Sequence, residues 1–242
     1  MVVTSAGRGA SHEAARAPII QLSDVIRVYR EADVETIALR GVDLEIGVGE
    51  FVAIMGRSGS GKSTLLGLVA GSDRPTAGRV VVDRIDLSRA EEDDRARLRG
   101  AHVGIVFQSG NLVPFLDLEE NILLAAQLSG RPLDHAAVRQ TLALVGLEGR
   151  ERHRPTQLSG GEQQRAALAA IVATRAPLVL ADEVTGELDS ANAKLLLDLL
   201  AGIHEAGGMT LVVATHDPDV AERAQRVVEL RDGRVAGDRV SR

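Results

Sequence analysis

The sequence predicts an α/β protein with a mainly parallel sheet, an antiparallel β subdomain and an inserted α-helical subdomain. Short apolar strands such as 51–55 and 178–181 are separated by segments with helical spacing, an alternation typical of parallel sheets. Residues 19–29 and 35–46 instead alternate β-branched and polar residues, which predicts antiparallel strands with one face in water. Leucine and alanine recur every three or four residues from 116 to 147, so we expect helical structure there.

The other elements follow from local pattern. A helix over 63–69 is expected directly after a glycine-rich segment, and the acidic run 91–94 suits the positive N-terminal end of another helix. We expect that run to have no role beyond forming the solvated start of this helix. Further short strands are expected at 79–83, 102–107, 210–214 and 226–230.

Domain organisation is predicted to be simple. Residues 1–18 mix Ala, Gly, Arg and Ser without an apolar core, so they are expected to form a flexible tail and not a secretory signal. Residues 19–242 are expected to form one domain, with the helical insertion at about 110–165. The sequence has no run close to the roughly 18 apolar residues that a bilayer-spanning helix needs. We therefore expect a cytoplasmic chain whose contact with a membrane depends on a partner.

Composition narrows the possible functions. Of 242 residues, 45% are hydrophobic and 26% charged, as in soluble globular proteins. The net charge of −6 disfavours nucleic acid as a partner. The sequence contains no cysteine, which excludes disulfides and thiolate metal sites, so any metal would be held by oxygen or imidazole ligands.

The segment 56–63, GRSGSGKS, fits the phosphate-binding P-loop pattern. Its glycines allow a tight turn whose N–H groups point at an anion, and the following helix directs its positive end to the same phosphates. Lys62 would reach the β- and γ-phosphates, and the Ser63 hydroxyl would ligate Mg²⁺. A buried strand before the segment and a helix after it argue against a chance match. The predicted binding residues are Gly56, Arg57, Ser58, Gly59, Ser60, Gly61, Lys62, Ser63 and Thr64.

Two carboxylates, Asp182 and Glu183, end the apolar strand at 178–181. A carboxylate at the end of a strand beside the P-loop is where a further Mg²⁺ contact is needed, which suits Asp182. Glu183 points elsewhere and is the candidate general base that polarises an attacking water. A solvated strand end is the alternative, and the P-loop makes it the weaker one. A P-loop NTPase core is therefore predicted.

The segment 158–164, LSGGEQQ, lies about twenty residues before the acidic pair. A Ser-Gly-Gly run at a helix start offers N–H groups and a hydroxyl to an anion. In this order and spacing the segment closely resembles the signature motif of ABC ATPases. Four other residues match the Q-loop, the D-loop, the switch histidine and the adenine-stacking aromatic of that family, respectively Gln108, Asp189, His216 and Tyr29.

The resemblance covers residues 19–237, and the segments 111–114 and 178–189 resemble the branch of lipoprotein-releasing, macrolide-exporting and cell-division ATPases. It implies an ATPase subunit that pairs head to tail with a second nucleotide-binding subunit, an identical chain, around two Mg-ATP. Transmembrane subunits would hold it at the inner face of the cell membrane and use its work for export or for mechanical action outside the cytoplasm.

The family resemblance also implies the roles of the site residues. Lys62 of one copy and Ser159 and Gly161 of the other would hold each ATP. Glu183 would drive hydrolysis, and His216 would hold the γ-phosphate. The remaining contacts would come from Gly160, Glu162 and Asp189 for the nucleotide and from Gln108, with Ser63 and Asp182, for Mg²⁺.

Three residues depart from the family pattern. Val184 replaces a common Pro, which frees a backbone dihedral next to Glu183 and is expected to loosen it slightly. Glu187 stands where many members have Asn, and Ala170 replaces an Arg, which would remove an ion pair. Two other functions remain as alternatives: a soluble ABC protein acting on nucleic acid or ribosomes, and a P-loop kinase acting on a small metabolite.

Overall fold

The computed structural model describes residues 17–31, 34–109, 111–186 and 188–241. Most of the predicted tail, 1–16, lies outside the described residues. The strands are β1 Ile20–Glu31, β2 Val34–Ile46, β3 Phe51–Met55, β4 Ala77–Val82, β5 Ile85–Asp86, β6 Val103–Val106, β7 Leu178–Asp182, β8 Thr210–Thr215, β9 Arg226–Arg231 and β10 Arg234–Val240. The helices are α1 Lys62–Val69, α2 Glu92–Ala101, α3 Leu118–Leu128, α4 His135–Leu144, α5 Gly160–Thr174, α6 Ser190–Gly207 and α7 Pro218–Arg223, with a 3₁₀ turn at Pro155–Gln157.

Two sheets form the framework. One is antiparallel, in the order β2-β1-β4-β5, and the other has the order β10-β9-β3-β8-β7-β6. In the second sheet β9, β3, β8, β7 and β6 run parallel, and β10 pairs antiparallel with β9. The predicted fold class, with a mainly parallel sheet and a separate antiparallel sheet, is confirmed.

The central strand β3 is buried on both faces because each face packs against a different layer. Phe51 and Ala53 belong to the apolar cluster under α3, α5 and α6, whereas Val52 and Ile54 belong to the cluster shared with α1 and the antiparallel sheet. Alternate residues of a strand point to opposite faces, so a strand in this position must be apolar throughout. The parallel arrangement brings the carboxyl ends of β3 and β7 to the same edge, where open α/β sheets bind ligands.

The predicted helical stretch from 116 to 147 consists of two helices. The first, α3, begins with a capping box in which Asp117 accepts from the Glu120 N–H and Glu120 accepts from the Asp117 N–H. It ends at Leu128 with Ser129 as its C-cap, and the next residue, Gly130, has a positive φ of 73°, a conformation that terminates helices. Within the four described ranges, no helix is both long and apolar enough to cross a membrane.

Candidate functional site

The P-loop connects the end of β3 to the first turn of α1. Gly59 and Gly61 have φ values of 77° and 104°, which side chains strongly disfavour. A Cβ on Gly56 would lie 2.5 Å from the carbonyl oxygen of Leu230. The glycines are therefore required by the turn itself, which lines a cavity together with the first turn of α1.

That cavity, here called the phosphate cavity, has a volume of about 430 Å³, within the range of roughly 300–1,000 Å³ usual for small-molecule sites. Its lining residues come from both sheets and from the P-loop, and they are Tyr29, Thr36, Ile37, Ala38, Ser58, Gly59, Gly61, Lys62, Ser63, Thr64, Gln108, Asp182 and Glu183. The fold thus brings Tyr29, Gln108 and the acidic pair to the P-loop.

A second cavity of about 730 Å³ lies beside the P-loop. Its lining residues include His216 and three residues of the predicted P-loop, Gly56, Arg57 and Ser60. The larger cavity lacks both carboxylates of the acidic pair and Lys62 among its lining residues. We therefore identify the smaller phosphate cavity as the candidate nucleotide site.

Asp182, the last residue of β7, lies next to the first turn of α1. Ser63, in that first turn, favours the ionised form of the Asp182 carboxyl, while the buried Oδ1 atom of Asp182 has no hydrogen-bond partner among the described atoms. Burial, followed by the nearby charge of Glu183, raises the pKa of Asp182 against the opposing effects of Ser63 and Lys62. An unpaired buried carboxylate oxygen is costly, and a cation at this position would offset that cost.

Glu183 has a different environment although it is the next residue. Its φ is +47°, a left-handed conformation that is uncommon outside glycine, and its N–H donates to the Ala214 carbonyl at 2.9 Å. Its Oε1 lies 3.2 Å from Lys62 Nζ and 3.5 Å from His216 Nδ1. Burial opposes ionisation, but Lys62 and then His216 outweigh it and lower the pKa of Glu183 below its ordinary value.

Lys62 is held from several directions in this structure. Its side chain is only 4% exposed, and besides Glu183 its ammonium donates to the Gly56 carbonyl at 3.0 Å. These partners keep a buried cation at the base of the phosphate cavity, since an unpaired one would be strongly disfavoured.

The segment resembling the signature motif forms the start of α5. Ser159 accepts a hydrogen bond from the Glu162 N–H, and Glu162 accepts from both the N–H and the hydroxyl of Ser159. Those bonds from Ser159, the backbone one first, lower the pKa of Glu162. A Cβ on Gly160 would meet no atom within 4 Å, whereas one on Gly161 would lie 2.7 Å from Asn192.

Asp189 caps the next helix. Its carboxylate accepts from the N–H groups of Ala191 and Asn192 at the start of α6, and these backbone bonds, that of Asn192 first, lower the pKa of Asp189. Of the residues the structure describes, Asp189 and the predicted signature residues are not among those lining the phosphate cavity. These are the predicted ligand contacts that one chain does not bring together with the P-loop.

Comparison with known proteins identifies the family. The family model for the ABC transporter matches residues 39–186. The chain is also 45% identical, over 91% of its length, to the lipoprotein-releasing system ATP-binding protein LolD of Anaeromyxobacter dehalogenans, 94% of which the match covers. The chain belongs to the ABC transporter family.

Two further comparisons are with a longer relative and with a solved structure. The chain is 45% identical over 91% of its length to the macrolide export ATP-binding/permease protein MacB of Hyphomonas neptunium, but it spans only 34% of that protein. A dimeric structure of the ATP-binding cassette MJ0796, described as a post-hydrolysis state bound to ADP and Pi, matches with a TM-score of 0.85 and 38% identity, covering 92% of this chain and 99% of that one. The predicted ABC-type ATPase fold, with its ATP-binding cassette, is confirmed.

The structure describes two of the three residues that depart from the ABC pattern, Val184 and Ala170. Val184 is 2% exposed and belongs to the apolar core. Both backbone groups of the neighbouring Glu183 are hydrogen-bonded, because its carbonyl also accepts from the Gly186 N–H at 3.0 Å. That Val184 loosens Glu183 stays a prediction. Ala170 is buried in the same core, and Glu187 lies outside the described residues.

Sequence reasoning missed the side chains that hold Gln108 and Tyr29 in this ABC cassette. Gln164 Nε2 donates to the Gln108 carbonyl, and Tyr29 donates from its hydroxyl to Asp73 at 2.8 Å. Gln164 lies in the signature segment, but the segment's resemblance to the family motif implies no role for its side chain. Asp73 sits in a polar turn after α1, where nothing in the sequence points to a residue 44 positions earlier.

Proposed function

We propose that this ABC cassette is the ATP-hydrolysing subunit of a membrane ABC transporter complex and that two identical copies close around two Mg-ATP. The observation that carries the proposal is the contrast within the acidic pair. Asp182 keeps a buried, unpartnered oxygen, whereas Glu183 is paired with Lys62 and His216 and has a lowered pKa. One carboxylate is suited to a metal and the other to an attacking water.

The donor set of the phosphate cavity fits Mg²⁺, which prefers oxygen ligands and keeps part of its water shell. The Ser63 hydroxyl, the Gln108 side-chain amide and the Asp182 carboxylate would hold it, and the unpartnered Oδ1 of Asp182 would gain a contact, directly or through water. When bound, the metal neutralises charge on the phosphates. Thiolate ligands are excluded because the chain has no cysteine.

The residues of the phosphate cavity, together with His216 from the neighbouring cavity, would carry out the chemistry. On nucleotide binding, Lys62 exchanges Glu183 and the Gly56 carbonyl for the β- and γ-phosphates, because these anions compete for its ammonium. Glu183, then released and still ionised, orients a water and takes its proton as the water oxygen attacks the γ-phosphorus. The bond to the β-phosphate oxygen breaks and ADP leaves, while His216 stabilises the transferred phosphoryl group.

A second copy would complete each site. Ser159, Gly160, Gly161 and Glu162 are not among the described residues that line the phosphate cavity of their own chain. Gly160 has open space around it, and the N–H groups at the start of α5 suit an anion. Ser159, Gly161, Glu162 and Asp189 of the second copy would approach with it. The dimeric form of the MJ0796 relative supports this arrangement.

A membrane partner accounts for an exposed apolar surface near Gln108. Phe107 is 50% exposed and Phe115 is 72% exposed, and a cavity of about 460 Å³ beside them is lined by Leu112 and Pro114. Exposed apolar patches of this kind mark interaction sites. The relatives' names, a lipoprotein-releasing system and an export permease, favour a transmembrane subunit as the occupant and the cytoplasmic face of the membrane as the location.

The test is recovery of partners from native membranes. Tagged Glu183→Gln protein is incubated with Mg-ATP and detergent-solubilised membranes, and the bound proteins are identified. A polytopic membrane protein in stoichiometric amount is expected, and Phe115→Asp introduced into the same variant should reduce its recovery. Recovery of ribosomal or DNA-repair components without a membrane protein would instead support the soluble ABC class, against which the net charge of −6 counts.

A further inference from the structure

The ring of Tyr29 is held from behind by two charged side chains. The guanidinium carbon of Arg27 lies 4.3 Å from the ring centroid, within the range of a cation–π contact. The Tyr29 hydroxyl donates to Asp73 Oδ2 at 2.8 Å. Both contacts act on Tyr29, which is the one aromatic side chain among the described residues lining the phosphate cavity.

Arg27 and Asp73 also bind each other. Arg27 Nε donates to Asp73 Oδ2 at 2.8 Å and its Nη2 lies 2.7 Å from Oδ1, the two-pronged geometry that gives Arg–carboxylate pairs their specificity. Their side chains are only 22% and 24% exposed, so solvent screens the pair less than it screens a surface ion pair. The three side chains form a closed triangle.

Asp73 is itself fixed to elements outside β1. Its Oδ1 accepts from the Arg74 N–H at 2.7 Å, and its carbonyl accepts from Arg95 of α2 at 3.4 Å. Arg95 is buried. The turn after α1 therefore sets the position of the Tyr29 ring relative to the P-loop, although Tyr29 belongs to the antiparallel sheet.

We infer that Asp73, together with Arg27, is a positioning residue that makes the site selective for triphosphates carrying a planar base. Resting on the proposed function, this inference concerns how the base is recognised. Arg27 occupies one face of the ring, which leaves the other face for a base to stack on. Because Asp73 fixes the ring before the nucleotide arrives, the Tyr29 side chain loses less rotamer freedom on binding. The resulting gain in affinity applies only to ligands that have a base.

The sequence offers a direct probe of this site. Tyr29 is the only tyrosine in the chain, and there is no tryptophan, so tyrosine emission reports on this ring alone. ATP should change that emission through stacking, after correction for absorption by the nucleotide, and inorganic tripolyphosphate should not. Calorimetry gives the affinity of the parent and each variant for both ligands.

The variants are Asp73→Asn, Asp73→Ala and Tyr29→Phe, with Asp86→Asn as the matched control. Asp86, in β5 of the antiparallel sheet, also accepts from an arginine Nε at 2.8 Å and from the backbone N–H of Ser88. It is not among the described residues that line the phosphate cavity. Asp73→Ala should weaken ATP binding about tenfold, the equivalent of one hydrogen bond, and leave tripolyphosphate binding unchanged. Asp73→Asn, which keeps an acceptor for the hydroxyl, should fall between Asp73→Ala and the parent.

Further outcomes separate positioning from simple structural support. If Asp73 acts through the hydroxyl, the effects of Asp73→Ala and Tyr29→Phe should not add in the double variant. Equal losses for ATP and tripolyphosphate, or ATP affinity unchanged in Asp73→Ala, would overturn the inference. Failure of the parent to bind either ligand would count against the proposed function instead, so the two failures are distinguishable.

Discussion

At the scale of single residues, two adjacent carboxylates acquire opposite properties from their surroundings. Burial raises the pKa of Asp182, whereas Lys62 and His216, outweighing burial, lower the pKa of Glu183. Sequence reasoning predicted both roles, because a strand ending in two acids near a P-loop suffices for that. It did not predict that Lys62 pairs with Glu183, since such a contact depends on the positive φ of Glu183 and on where β7 lies.

Replacement of the proposed base tests that assignment. Glu183→Gln keeps the shape of the side chain but cannot accept a proton from water, so hydrolysis should fall by about 10²–10⁴-fold while ATP still binds and the closed pair persists. Phosphate release and light scattering with Mg-ATP are the measurements. Glu222→Gln, at an exposed carboxylate of α7, is the control that should hydrolyse like the parent. A Glu183→Gln protein with parental turnover would remove Glu183 from the base role.

At the scale of elements, local patterns predicted most strands and helices but not their pairing. The strand β10 was not predicted. It exists because Asp232 and Gly233 adopt positive φ values of 50° and 74° and turn the chain back onto β9. The stretch 116–147 showed helical spacing throughout, yet Gly130 divides it. Asp189 received only a ligand role, although its place before α6 makes it a helix cap.

Ion pairs of Arg226 in β9 stabilise the β9–β10 pair. Its Nη2 lies 2.7 Å from Asp238 Oδ2 in β10, and its Nη1 lies 3.0 Å from Glu50 Oε2. The hydrogen bond from Arg226 lowers the pKa of Asp238 below 3.8 despite partial burial. A carboxyl with a depressed folded-state pKa stabilises the fold above its unfolded-state pKa and loses that contribution as pH falls through its folded-state value. The stabilisation from Asp238 is thus present at neutral pH and lost in acid.

Asp238→Asn should therefore lower the free energy of unfolding at neutral pH and change it progressively less as the pH falls below 3.8. The side chain of Asp238 is 38% exposed, so after allowance for solvent screening the effect should be no more than about 1 kcal/mol. Denaturant unfolding across that pH range measures it. A difference that grows towards acid pH would mean that the ion pair is not the cause.

At the scale of the whole molecule, one chain contains only part of the predicted site. The P-loop, the acidic pair, Gln108 and Tyr29 meet at one cavity, because parallel strands end at the same edge of the sheet. Ser159, Gly160, Gly161 and Glu162, the predicted contacts of the signature segment, are not among the described residues that line that cavity. Sequence resemblance predicted the segment's contribution from a second copy, and composition or periodicity alone would not have done so, since contacts between chains leave no periodic pattern.

The central claim, that each ATP is shared between two copies, is tested most directly by mixing two inactive variants. Lys62→Gln disables the P-loop. Gly160→Glu places a charged side chain at the signature segment, where a Cβ meets no atom of its own chain, so the fold should survive. Mixed pairs then contain one site with both halves intact, and ATP hydrolysis, measured as phosphate release, should reappear although each variant alone is inactive. A mixture that stays inactive while the parent hydrolyses ATP, or a Gly160→Glu protein as active as the parent, would contradict the account.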